Sequence, residues 1–149
     1  MYSKIDARFW TDEKVLSMTA DARYLMLYLL TTRHRNILGL YTLPLSYAQE
    51  DTALPDRRFR AAWTEVLNSG MVSYDADARV VCVRNFLRYN PIEGPKQVTG
   101  AITRLDDLPK TDIARFVVDT LRSQPDKPHL IPLAQHVERV CLTASPTRY

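Results

Sequence analysis

Glycine is scarce in this chain: four in 149 residues, at positions 39, 70, 94 and 100. Spaced so widely, they form neither a phosphate-cradling loop nor a dinucleotide-binding turn, both of which need clustered glycines. Cysteine is scarcer still, with only Cys82 and Cys141 and no CxxC spacing. That leaves no disulfide framework and no vicinal redox pair, and a reducing cytoplasm is the expected compartment. Long apolar runs are missing as well. The longest, "YLMLYLL" at 24–30, is far too short to cross a bilayer, so no membrane association is expected. The opening "MYSKIDARFW" lacks the apolar core of a secretory signal. Nor does one sign of charge dominate. The 20 Lys and Arg against 17 Asp and Glu leave +3, which by itself implies no nucleic acid.

Catalytic and metal-binding patterns are equally thin. His129 and His136 stand about 10 Å apart along a helix, too far to share one metal ion. His136 and Cys141 have no further ligands at metal-site spacing. Cys82 sits in an apolar run and reads as packing. Asp106 and Asp107 read as a solvated helix end, and His34 between Arg33 and Arg35 as a basic surface loop. No enzyme and no cofactor is expected.

What is present is an ordinary globular composition, 46% apolar and 25% charged, long enough for a real core. Thr11 is placed to cap a first short helix, with Asp12 and Glu13 in its first turn. Thr19 is placed to cap a second, "ADARYLMLYLLTTR". Its apolar residues Ala22, Leu25, Met26 and Leu29, backed by Tyr24, Leu27, Tyr28 and Leu30, make it a central buried helix. "ILGLYTLPL" is a short extended piece ended by Pro44. "SYAQEDT" is a short helix, Ala53–Pro55 a tight turn, and "DRRFRAAWTEVLN" a further helix with Gly70 at its left-handed end. Two apolar runs, Met71–Tyr74 and Val80–Val83, flank the polar turn 75–79 and form a hairpin. Asn90–Pro91 and Gly94–Pro95 break the pattern, and three helices are expected near 98–108, 111–121 and 131–142.

The order helix, helix, strand, helix, helix, hairpin is that of a winged helix-turn-helix. The expected fold is mainly α with a small β-hairpin. A winged helix-turn-helix at 1–90 is followed by a linker at 91–97 and a short C-terminal helical segment at 98–149.

The helix beginning at Asp56 carries the functional argument. With Trp63 at the centre of the buried face and about 100° per residue, Phe59, Val66 and Leu67 join it in the core stripe. Arg57, Ala61, Thr64 and Asn68 fall opposite, flanked by Arg58 and Glu65, while Arg60 sits at the edge of the stripe. Cations near the start of such a helix, followed by a small residue, suit close approach to the major groove. The ordinary alternative is a solvated helix face. The turn of the hairpin opposes the DNA reading, since Asp75 and Asp77 outnumber Arg79 and phosphate contacts favour cations. Arg84 and Arg88, beside Phe86 and Tyr89, are a second basic pair able to stack bases, or arginines snorkelling over buried aromatics at a strand end.

Three stretches, "RFWTDEKVLSMTADARYLMLYLLT", "NILGLYTLPLSYAQEDT" and "LNSGMVSYDADARVVCVRNFLRYNP", resemble the N-terminal winged-helix region of phage and prophage replication proteins, the DnaD-like replisome organisers. The resemblance runs in order from about Ala7 to Pro91, and more weakly from Gln97 to Leu121. It implies a DNA-associated module of replication initiation that self-associates and helps recruit a helicase or helicase loader. It also implies that the long C-terminal domain of full-length members is missing or reduced here. It assigns no catalytic residues. The DNA-facing candidates are therefore Arg57, Arg58, Arg60, Ala61, Thr64, Asn68, Arg79, Arg84 and Arg88. A homo-oligomer is expected, with Val117, Val118 and Leu121 continuing onto a partner chain. The competing readings are an oligomerisation or protein-interaction module on the same scaffold, and a small transcriptional regulator.

Overall fold

In a computed structural model of the chain, residues 2–142 are described. The fold is mainly helical with one small antiparallel sheet. A 3₁₀ turn at Ala7–Thr11 leads into α1 (Glu13–Leu16), α2 (Ala20–Thr31), β1 (Leu40–Thr42), α3 (Leu45–Thr52), α4 (Asp56–Asn68), β2 (Val72–Asp75) and β3 (Val80–Val83). Then follow α5 (Phe86–Tyr89), α6 (Pro95–Leu105), α7 (Arg115–Arg122) and α8 (Ile131–Cys141).

The starts of the first helices obey local chemistry. Thr19 caps α2 by accepting the Ala22 N–H, as its position before the apolar run requires. The expected cap at Thr11 is corrected: Asp12 caps α1, accepting the Lys14 N–H. Thr11 belongs to the preceding 3₁₀ turn, where its hydroxyl donates to the Arg8 carbonyl. Between α3 and α4 the chain turns through Ala53 at φ 57°, whose N–H returns to the Gln49 and Glu50 carbonyls. Leu54 plugs this turn into the core and Pro55 stiffens the approach to α4.

The strands pair in the order β1-β3-β2, all antiparallel, with Leu40 opposite Cys82 and Val72 opposite Val83. The expected hairpin is thus present, widened by β1. Gly39 leads into β1 at φ 70°, and a Cβ there would stand 2.6 Å from Phe86 Cβ. Only glycine allows β1 to pass this close to α5.

Every residue of β3 is buried. The two-residue period places Val81 and Val83 on one face, Val80 and Cys82 on the other. On the first face Tyr41, paired with Val81, donates its hydroxyl to the Leu29 carbonyl of α2, and Tyr74 meets Trp63 of α4 edge-on at 5.3 Å. On the second face Cys82 lines a small cavity with Phe116, Val117 and Thr120 of α7. The sheet is therefore the middle layer between α2/α4 and the C-terminal helices. Ile92 is buried, and α6 starts at Pro95, inside the segment expected as a linker. Pro95 suits the first helical position, where an N–H has no partner anyway.

Val117, Val118 and Leu121 are buried within this same chain, where α7 lies against α8. They are not available to a partner, contrary to expectation, because α8 closes over the α7 stripe that looked unpartnered in sequence.

Candidate nucleic-acid interface

Helix α4 buries Phe59, Ala62, Trp63 and Val66. Phe59 and Trp63 stack at 6.5 Å, nearly parallel. Leu67 is corrected from core to surface, at 36% exposure. The buried centre lies about 50° round from Trp63, towards Ala62. That rotation takes Leu67 out and brings Ala62 in. The outward face is unaffected by it: Arg57, Ala61, Thr64 and Asn68 are all exposed and lie within about 60° of one another.

The three arginines differ once their neighbours are in place. Arg57 has no acidic partner among the described residues. Arg60 reaches back one turn to Asp56, 2.5 Å away. Arg58 meets Asp21, in the first turn of α2, through two parallel bonds of 2.8 Å. The Arg58 guanidinium holds the Asp21 carboxyl below its ordinary range. Asp21 is the counter-charge that sequence proximity could not reveal, because it lies 37 residues earlier. Both pairs are open to water; the i,i+4 contact holds Arg60 only loosely, whereas the two-point contact with another helix fixes the plane of the Arg58 guanidinium. Thr64 donates its hydroxyl to the Arg60 carbonyl one turn back.

The remaining candidates lie elsewhere. Arg79 and Arg84 bracket β3 and so stand about 15 Å apart. Arg79 occupies the hairpin turn at φ 57°, where its carbonyl accepts the Leu43 N–H. Arg84 places its guanidinium 4.0 Å from the centre of the Phe116 ring. That cation–π contact ties the end of β3 to α7. Arg88 is exposed on α5. Beside it Phe86 is buried, whereas Tyr89 is exposed with Arg8 stacked over its ring. The buried-aromatic alternative thus describes Phe86 and not Tyr89.

The acidic turn is used internally. Asp75 accepts the Asp77 and Ala78 N–H groups and the Thr111 hydroxyl, the last at 2.6 Å. The Thr111 bond, first, and the Ala78 N–H hold its carboxyl below the ordinary range. Asp77 remains exposed.

Cys82 and Cys141 are buried, and burial pushes their thiols up to about 12 and about 11. Such thiols are packing groups, not nucleophiles. His34 is half-buried against Tyr47, 3.9 Å from Asp51, so it is less a surface residue than its basic neighbours suggested. His136 accepts from Arg139 and lies 3.8 Å from Asp106. Among the described residues, no three His, Cys, Asp or Glu side chains gather where they could hold a metal ion. No helix among them is long and apolar enough to cross a membrane.

Comparison of the chain with protein families, curated proteins and solved structures gives no match.

Proposed function

We propose that the chain is a DNA-associated module of a phage or prophage replication-initiation system, acting through a winged helix-turn-helix in which α3 and α4 are the paired helices. The observation that carries this reading is the outward strip of α4. Arg57, Ala61, Thr64 and Asn68 form a narrow exposed row on a 13-residue helix whose opposite face is anchored by Phe59, Trp63 and Val66. A cation at the first turn, a small residue at the middle and polar groups beyond it suit a helix seated in a groove. The order of elements and the resemblance to replisome organisers support the same reading, with a helicase or helicase loader as a further partner in the cytoplasm. Asp75 keeps its charge when it accepts the Thr111 hydroxyl, so the acidic turn still opposes phosphate contact and the reading rests on α4.

The test is fluorescence anisotropy with labelled single- and double-stranded DNA across a salt series. Double-stranded binding should weaken steeply with salt, and Arg57→Ala should flatten the log–log slope by about 0.9. If the Arg57→Ala/Arg58→Ala variant binds as tightly as the parent with the same slope, α4 does not face DNA.

The second reading, an oligomerisation or protein-interaction module, is favoured by Trp10, in the turn before α1, and Leu16, the last residue of α1, which are 54% and 53% exposed. It requires a dimer or larger species by light scattering at about ten micromolar and no salt-dependent DNA binding.

A further inference from the structure

Arg58 is held differently from any other arginine on α4. Asp21 takes its Nε–H and one Nη2–H, at 2.8 Å each. A guanidinium has five N–H groups in one plane. Three remain, and no other described acceptor takes them. The end edge, formed by Nη1 and the second Nη2 hydrogen, is therefore unoccupied, and the side chain is 59% exposed. That edge has the spacing that matches the O6 and N7 acceptors of guanine.

The mount itself is fixed at two points. Glu65, two turns along the same flank of α4, accepts both the Thr19 N–H at 3.0 Å and the Thr19 hydroxyl at 2.5 Å. Thr19 is also the cap of α2, and Asp21 stands two residues into that helix. The start of α2 thus clasps α4 through Glu65 and Arg58 together, so the plane of the Arg58 fork is set by the packing of two helices. A long side chain with four rotatable bonds would otherwise sample many orientations, and ordering it on binding costs affinity.

We infer that Asp21 is a positioning residue that presents Arg58 as a guanine-reading fork in double-stranded DNA, while Arg57 provides charge alone. This rests on the DNA reading above and adds base preference to it. Arg58 lies in the first turn of α4, the part of a groove-seated helix that meets base edges. Asp21 also places a negative charge behind the fork, which opposes tight binding to phosphate in general. The pair therefore exchanges non-specific affinity for selectivity.

The experiment uses the full chain and a randomised duplex library, followed by anisotropy on the enriched duplex and on a duplex with the enriched G·C pair changed to A·T. The parent should enrich guanine at one position. Asp21→Asn and Arg58→Lys should each lose about tenfold in discrimination between the two duplexes. Their affinity for unselected duplex should be unchanged, or tighter for Asp21→Asn, an outcome that a misfolded variant cannot give. Retention of the parental preference by both variants would overturn the proposal. So would a parent that enriches no base while Arg57→Ala still flattens the salt slope; in that case α4 meets DNA and Arg58 does not read it. Absence of any duplex binding would remove both readings.

Discussion

Asp75 shows how a single residue changes meaning between sequence and structure. In the sequence it is a negative charge in a turn, and as such an objection to phosphate contact. In the fold its carboxylate organises the turn and is bonded to Thr111, which is only 1% exposed. Its folded carboxyl lies below the ordinary value of 3.8. A depressed folded pKa means that the ionised form stabilises the fold above the unfolded pKa, and that this contribution is lost as pH falls through the folded one. Thr111→Val should therefore cost about 1 kcal/mol at pH 7, less than a fully buried bond to a charged group because the carboxylate also meets water. The gap between parent and variant should close as pH falls below the ordinary carboxylate value of 3.8 and through the lower folded one. Urea midpoints across that range measure it, and a gap that stays constant would mean that Thr111 acts through packing alone. Nothing in the sequence could have paired positions 75 and 111, since a hydroxyl–carboxylate contact leaves no periodic trace.

At the scale of elements, most of the N-terminal half was legible because its signals are local. Thr19 before an apolar run, Gly70 after one, and prolines at 44 and 55 each act within a turn of where they stand. The misreadings came from the tertiary neighbours. Helical spacing put Leu67 in the stripe of α4, but α2 approaches from the Ala62 side and turns the buried centre towards it. The two residues separate these accounts. Trp63, 9% exposed and packed between Phe59 and Tyr74, should cost about 3–5 kcal/mol when replaced by alanine. Leu67→Ser, at a surface position, should change stability by less than about 0.5 kcal/mol. A loss above about 2 kcal/mol at Leu67 in denaturant unfolding would restore the original stripe. The outward row survives the rotation because it lies nearly opposite both versions of the core. That is why this part of the candidate site was readable, whereas the partners of Arg58 and Arg84 were not. Asp21 and Phe116 reach those arginines from other elements.

For the molecule as a whole, the consequence of the fold lies in the second face of the sheet. Sequence pattern marks a boundary near Asn90–Pro91 and suggests an extension hung on a linker, because proline and glycine are read locally. Yet Leu40, Val80, Cys82 and Leu87 are all at 2% exposure or less. Val80 and Cys82 point away from α2 and α4, towards the side that α7 occupies. Arg84 is stacked on Phe116, Thr111 is bonded to Asp75, and His129 lies 2.7 Å from the Ile92 carbonyl. These contacts make the C-terminal helices a lid on the sheet. A chain ending at Asn90 would return these apolar side chains to water at about 1.5–3 kcal/mol for each one fully exposed. Even two or three such exposures rival the whole stability of an ordinary domain. Its removal should therefore leave a species that binds a hydrophobic dye, lacks near-ultraviolet dichroism and unfolds without a sharp transition. The full chain, by contrast, should unfold in one step with the same midpoint by tryptophan fluorescence, in which buried Trp63 reports the α4 layer beside the exposed Trp10, and by far-ultraviolet dichroism, which is weighted by all the helices. A truncated chain that melts cooperatively at the parental temperature would show instead that the N-terminal half carries its own stability. DNA binding could then be measured on that half alone, with α7 and α8 left free to meet another partner.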